Sequence, residues 1–350
     1  MTRDQAFRRT CRQRRIAVHT NPFAPFLTRS GAAVLDGALA TELERRGADL
    51  NDPLWSARLL IEQPALIRRV HDDYFTAGAD VAISATYQAT YQGLSRRGLD
   101  DRAATALFAD AVQLAIDARN AYWAANSEDA GRVKPLVAAS VGPYGAFLAD
   151  GSEYRGNYAL DEDALVAWHR KRFAVLAASG ADLLACETIP CAAEARALLR
   201  LLDEHPDARA WVTFTARDGV HIADGEPFAD VVRECVTREN VVAVGVNCTA
   251  PQHVESLIRA ARAVTDTPII VYPNSGETYD AVSHRWVAER ACPPFVDYVA
   301  TWLDAGATIV GGCCRTTPDD IRAVRSLVDS RHELRRPGAA PPVSLKRPQP

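Results

Sequence analysis

Eight short apolar runs punctuate this chain, and nearly every one is followed by a helical pattern. They are "VLDGA" (34–38), "ADVAISAT" (79–86), "PLVAASVGP" (135–143), "ADLLACETI" (181–189), "RAWVTFT" (209–215), "VVAVGVNC" (241–248), "PIIVYPN" (268–274) and "ATIVGGC" (307–313). Most are near-continuous apolar stretches, as parallel strands covered on both faces require. Between them, "PALIRRVHDDYFTAGAD", "ALVAWHRKRFAVLAASGAD" and "PDDIRAVRSLV" repeat apolar residues at helical spacing. Eight alternating β/α units predict an α/β protein, a single-domain (β/α)8 TIM barrel. The rival is a doubly wound open sheet. No G-x-G-x-x-G follows the first run, so its dinucleotide-binding version lacks support.

The barrel is expected over residues 30–331. Residues 1–29 open with the Arg-rich "MTRDQAFRRTCRQRR". That segment has no apolar h-region and reads as a disordered extension, with a mitochondrial transit peptide as the weaker alternative. Residues 332–350 form a Pro-rich tail poor in large apolar residues, also expected to be disordered.

A net charge of -4 gives no reason to expect nucleic acid as a partner. No apolar run approaches the roughly 18 residues of a membrane helix, so no membrane partner is expected. The chain is expected in the cytoplasm, where thiols stay reduced. Clustered cysteines then point to metal binding or catalysis rather than disulfides.

Local signals fix where the elements begin and end. Pro190, Pro251 and Pro318 are expected to open helices. In "TTPDD", Thr317 reads as N-cap, with Asp319 and Asp320 in the first turn. The connections at 39–63, 87–101 and 144–160 are long, and the last is polar, aromatic and Gly-rich, as lids often are.

In a barrel, chemistry gathers at the C-terminal ends of the strands. There the runs end in Asp36-Gly37, Thr86-Tyr87-Gln88, Ser140 before "VGPYG", Glu187-Thr188, Asn247-Cys248, "YPNSGE" and Cys313-Cys314. Barrel closure would bring Cys248 near Cys313 and Cys314, and Gly311 and Gly312 let the chain leave strand geometry before the pair. Three thiolates at one rim would make a zinc site with an open fourth position. The pattern alone also leaves a vicinal disulfide or plain core packing open. Cys186, Cys191, Cys235 and Cys292 read as small buried hydrophobes. Asp36 alone reads as a turn residue ahead of Gly37. Glu187 is the stronger signal, because a carboxylate after "ADLLAC" is costly if buried without a partner.

These residues carry a family resemblance. "LDGALATELERRG", "ISATYQATYQGL", "ASVGPYGAFLADGSEYRG", "LLACETIP", "GVNC", "VYPNSGETYD" and "VGGCCRTTP" together resemble the homocysteine S-methyltransferases, most closely those of bacteria and plants that use S-methylmethionine. The likeness runs from about Val34 to about Val328. It implies a zinc barrel methylating homocysteine to methionine. Its zinc ligands and catalytic residues would be Cys248, Cys313 and Cys314. Asp36 and Glu187 would bind homocysteine, with Gly37, Thr86 and Asn247 as further substrate contacts.

The implied substrates are small molecules: homocysteine and a sulfonium donor, S-methylmethionine or S-adenosylmethionine. Tyr87, Tyr91, Tyr144 and Tyr154 are expected to pack on the sulfonium by cation–π attraction. The tail lacks the longer C-terminal extension of the betaine-using relatives, so a monomer or small homo-oligomer is expected. Alternatives are a betaine-dependent methyltransferase and a zinc-dependent hydrolase or non-catalytic zinc barrel. The hydrolase is disfavoured because no H-E-x-x-H is present.

Overall fold

The computed structural model describes residues 21–50, 56–128, 132–276, 278–280, 285–287 and 293–335. Eight parallel strands form one sheet: β1 (Ala33–Val34), β2 (Val81–Ile83), β3 (Leu136–Val141), β4 (Leu183–Ile189), β5 (Ala210–Phe214), β6 (Val241–Asn247), β7 (Ile269–Tyr272) and β8 (Ile309–Val310). Consecutive strands from β2 to β8 are neighbours, β8 pairs with β1, and a parallel bridge from Leu35 to Val81 closes the ring. This is the expected (β/α)8 barrel. Seven of the expected runs contain their strands, and β1 starts one residue before its run, at Ala33; β1 and β8 are two residues each.

Helices cover the outside. The longest, Asp101–Asn126, starts where Asp100 accepts a hydrogen bond from Ala103 N–H at 2.8 Å. The last, Pro318–Arg335, opens on the expected Thr317, whose backbone N–H and hydroxyl both donate to Asp320 Oδ2 at 2.8 Å. Such a box satisfies donors that the first helical turn leaves free. Pro251 likewise opens its helix, but the helix after β4 begins at Ala192, two residues beyond Pro190. The long connections carry short helices, Leu39–Arg45, Ser56–Glu62, Tyr91–Ser95 and Tyr144–Leu148, with a 3-10 turn at Ser152–Tyr154.

Two expected boundaries move. Residues 21–29 are not a disordered extension. Ala24–Ser30 is a helix, and Phe23 and Phe26 are buried beside Leu183, Val242 and Ile309 inside the barrel. Asn21 Nδ2 donates to the Val242 carbonyl at 2.9 Å. The physical reason is that an eight-stranded barrel needs apolar side chains to fill it. "NPFAPFLTRS" supplies two of them. At the other end the final helix continues through residues 332–335. The rest of the expected tail, residues 1–20 and Cys292 lie outside the described residues.

One interior column links this plug to the opposite rim. Phe23 packs on Trp211 with centroids 6.1 Å apart, and Trp211 meets Tyr272 edge-on at 6.3 Å.

Candidate active site

The three cysteines converge. Cys248 follows β6, and Cys313 and Cys314 follow β8 after two glycines. Their sulfurs all lie within 4.8 Å of one another. Cys313 N–H donates to the Pro273 carbonyl at 2.8 Å, and Ser275 N–H donates to the Cys314 carbonyl at 3.1 Å, so the end of β7 fixes the turn. The Cys248 and Cys313 sulfurs are in direct contact, with Cα atoms 5.7 Å apart, and Cys314 Sγ is 4.0 Å from Cys313 Sγ. Tetrahedral zinc with sulfurs at about 2.3 Å spaces them about 3.8 Å apart, within reach of this cluster after small side-chain rotations. The donor set therefore fits a soft divalent cation held from three sides. Cys186, Cys191 and Cys235 are buried elsewhere as free thiols, as expected of small hydrophobes.

Two buried carboxylates flank the cluster. Asp36 follows β1 and accepts from Ile83 N–H at 2.8 Å, while its own carbonyl accepts from Gly312 N–H at 3.1 Å. Burial raises its carboxyl well above the usual range, and the Glu187 charge adds to this. Asp36 is thus more than a turn residue. Glu187, in β4, accepts from Ser140 Oγ and from Tyr272 OH, the latter at 3.1 Å. Burial pushes it up to about 7, against the lowering effect of these two hydrogen bonds.

Tyr272 escaped the sequence reading as a site residue. Its hydroxyl takes Trp211 Nε1–H at 2.9 Å and Thr213 Oγ1 at 2.8 Å while donating to Glu187. Its only signal was its place in the strand-end "YPN". Asn274, two residues on, keeps a buried Oδ1 with no partner among the described residues.

The remaining expected contacts turn their polar atoms inward. Thr86 Oγ1 donates to the Ser140 carbonyl at 2.7 Å and meets Ser84 Oγ at 2.8 Å. Asn247 accepts from Thr188 N–H at 2.8 Å and donates to Thr188 Oγ1 at 2.7 Å. A Cβ on Gly37 would lie 2.9 Å from both Thr316 Oγ1 and Tyr74 OH, so close packing requires glycine there.

Of the tyrosines, only Tyr87 has described neighbours at the site. It lies within electrostatic reach of Glu187 and Cys314 and hydrogen-bonds Thr188. Tyr91 departs from the expectation: Lys171 Nζ covers its ring at 4.0 Å and Phe108 packs on it. Tyr144 packs among Phe147, Tyr158 and Trp168. Tyr154 lies on the lid turn.

Fold and site together define a barrel enzyme with a three-thiol, metal-type centre at its C-terminal rim. The family described as homocysteine S-methyltransferase matches residues 33–328. The chain is 50% identical over 304 residues to the homocysteine S-methyltransferase YbgG of Bacillus subtilis, covering 87% of this chain and 96% of that one. It is 48% identical over 314 residues to a selenocysteine Se-methyltransferase of Brassica oleracea var. italica, covering 87% and 91%. The crystal structure of the metallated homocysteine methyltransferase MmuM from Escherichia coli superposes with a TM-score of 0.79 at 47% identity, covering 88% of this chain and all of that one. The chain belongs to the homocysteine S-methyltransferase family and is a methyltransferase, which removes the hydrolase and non-catalytic alternatives.

Proposed function

We propose that the protein transfers a methyl group from S-methylmethionine to homocysteine, giving two molecules of methionine, with zinc held by Cys248, Cys313 and Cys314. The observation that carries this reading is the convergence of three thiols beside two buried carboxylates at one rim. Bound there, zinc would supply positive charge that keeps a thiol deprotonated near neutral pH. S-adenosylmethionine is a second sulfonium donor of the same chemistry.

The protein's own residues position the acceptor. Asp36 and Glu187 offer buried anionic oxygens for the homocysteine ammonium. Gly37 lets Asp36 sit close against Thr316 and Tyr74. Thr86 and Asn247 act one step back, by fixing the ends of β3 and β4. In the transfer, a sulfur lone pair of homocysteine thiolate forms the new S–C bond. The electron pair of the breaking bond stays on the donor sulfur, which leaves as a neutral thioether. The thiol proton goes to solvent, and no general acid is needed. Catalysis then rests on holding sulfur, methyl and leaving sulfur in line.

The cytoplasm, where Cys248 and Cys313 stay reduced, suits this chemistry. No helix among the described residues is long and apolar enough to cross a membrane. The protein acts as a monomer or small homo-oligomer. A selenol acceptor is the second reading, favoured by the likeness to the Brassica selenocysteine enzyme.

The test is a donor panel of S-methylmethionine, S-adenosylmethionine and betaine, each with homocysteine and with selenocysteine, reading methylated product. Methionine formed fastest from S-methylmethionine and homocysteine supports the reading. Preference for betaine, or no transfer by metal-loaded enzyme with any donor, would overturn it.

A further inference from the structure

The segment after β3 is a built cover. A Cβ on Gly145 would lie 2.4 Å from Glu153 N and 2.7 Å from Ser152 C, so the two arms of the lid touch backbone to backbone. Gly156, at φ +72°, brings the returning arm to the end of β4, where a Cβ would lie 2.8 Å from the Pro190 carbonyl oxygen. Beneath, the fully buried Glu194 accepts from Tyr144 N–H at 2.6 Å and from His169 Nε2 at 2.8 Å. A lid held this way delivers each of its side chains to a fixed place.

One of those side chains is only partly satisfied by the protein. Glu153 Oε2 is buried and makes no hydrogen bond among the described residues. The Glu153 charge acts on both Tyr87 and Cys314, so the carboxyl lies on the thiol side of the lid. Burial raises this carboxyl to about 7, against the lowering effect of its own backbone N–H; the Asp150 charge raises it further and Arg155 lowers it. A buried carboxylate oxygen left without a partner is destabilising unless a cation joins it.

Building on the methyl-transfer reading above, we propose that Glu153 binds the sulfonium centre of the methyl donor and makes the site selective for cationic donors. A sulfonium cannot shed its charge by losing a proton, so enclosing it requires an anion or an aromatic face. Glu153 supplies the first and Tyr87 the second. Asp36 and Glu187 sit at the ends of β1 and β4 and suit the acceptor's ammonium. In-line transfer sets the donor opposite the acceptor's own carbon, so the donor needs an anion of its own. The charge disappears as the methyl moves, so Glu153 holds the donor more tightly than the transition state. Its removal should therefore raise donor KM without lowering kcat.

The experiment compares metal-loaded wild type with Glu153→Gln, which keeps shape and removes charge. Donor KM for S-methylmethionine is expected to rise about 10- to 100-fold, as for losing one partner of a close charge pair. Direct calorimetric titration of S-methylmethionine should show the same loss. Homocysteine KM and metal stoichiometry should stay within about twofold, and kcat at saturating donor should not fall. An unchanged donor KM, or an equal rise in homocysteine KM, overturns the assignment. If Glu153→Gln fails to fold, Glu153→Asp serves, because it keeps the charge and withdraws it by one methylene. A several-fold rise in donor KM alone supports the proposal, and no rise refutes it. Wild-type enzyme that uses no sulfonium donor would refute the function itself. Wild-type transfer with an indifferent Glu153→Gln would refute only the role of Glu153.

Discussion

Tyr272 OH donates to Glu187 Oε2 at 3.1 Å from inside the barrel, so the packing of the interior reaches directly into the acidic floor of the site. Glu187 is protonated in much of the free enzyme at neutral pH, because burial raises it to about 7. The sign of the consequence is fixed by linkage. Between about 4.5, its ordinary value, and 7, the folded state holds a proton that the unfolded state releases. The stability from this group is complete below 4.5 and is lost as pH rises through 7. A bound ammonium reverses the preference by pairing with the carboxylate.

Amino-acid affinity should therefore fall up to tenfold per pH unit below about 7 and level off above it. Methionine is the probe for calorimetry, since it carries the ammonium without a thiol. The groups facing Glu187 are Asp36, Tyr87, Tyr272, Cys186 and Cys314. Tyr272→Phe removes a hydrogen bond that favours the ionised form, so the break should move to higher pH. Glu187→Gln should bind weakly with no break near 7. A break near 7 that survives Glu187→Gln would assign the titration elsewhere.

Asn247 should act through position and not through contact with substrate. It holds Thr188, whose φ of +60° is costly for a β-branched residue, and it precedes Cys248, whose φ is +45°. Asn247→Ala should lose roughly 2–3 kcal/mol of stability from two buried hydrogen bonds and one stranded N–H. Asn247→Asp keeps the acceptor for Thr188 N–H and should recover part of this in chemical denaturation. A fully stable Asn247→Ala with only homocysteine KM raised would instead mark Asn247 as a direct substrate ligand.

Cys248→Ala, Cys313→Ala and Cys314→Ala should each abolish both bound zinc, counted by elemental mass spectrometry, and methyl transfer. An oxidant that joined Cys248 to Cys313 would withdraw two of the three donors, so oxidised wild type should bind no metal until a reductant is added. Full activity in any single variant would refute the three-thiol site.

What was legible in the sequence follows physical lines. The strands were readable because burial on both faces forces continuous apolar runs such as "VVAVGVN". The cysteines and Glu187 were readable because costly polar groups stood at strand ends. Tyr272 was not, because an aromatic ending an apolar run looks like core, and here it is both core and hydrogen-bond donor. Glu153 was hidden in a polar loop, where an acid is usually solvated. Its burial depends on the backbone contact at Gly145, a long-range fact. Phe23 and Phe26 were hidden because a seven-residue helix next to an Arg-rich segment is too short to show helical spacing.

Those two phenylalanines give the last prediction. Phe23 and Phe26 are fully buried among residues of the barrel interior, in the cluster that also holds Trp211 and Tyr272. Truncating a packed phenylalanine leaves a cavity that the surrounding strands close only in part. Phe26→Ala should cost about 3–5 kcal/mol in denaturant unfolding, with metal content and both KM values unchanged at temperatures where the protein stays folded. Phe23→Ala should cost a similar amount and, through Trp211 and Tyr272, also shift the pH at which amino-acid affinity breaks. A wild-type unfolding curve for Phe26→Ala would mean that residues 21–30 are not part of the barrel's core. Equal pH profiles in the two variants would mean that the column from Phe23 to Glu187 carries no coupling.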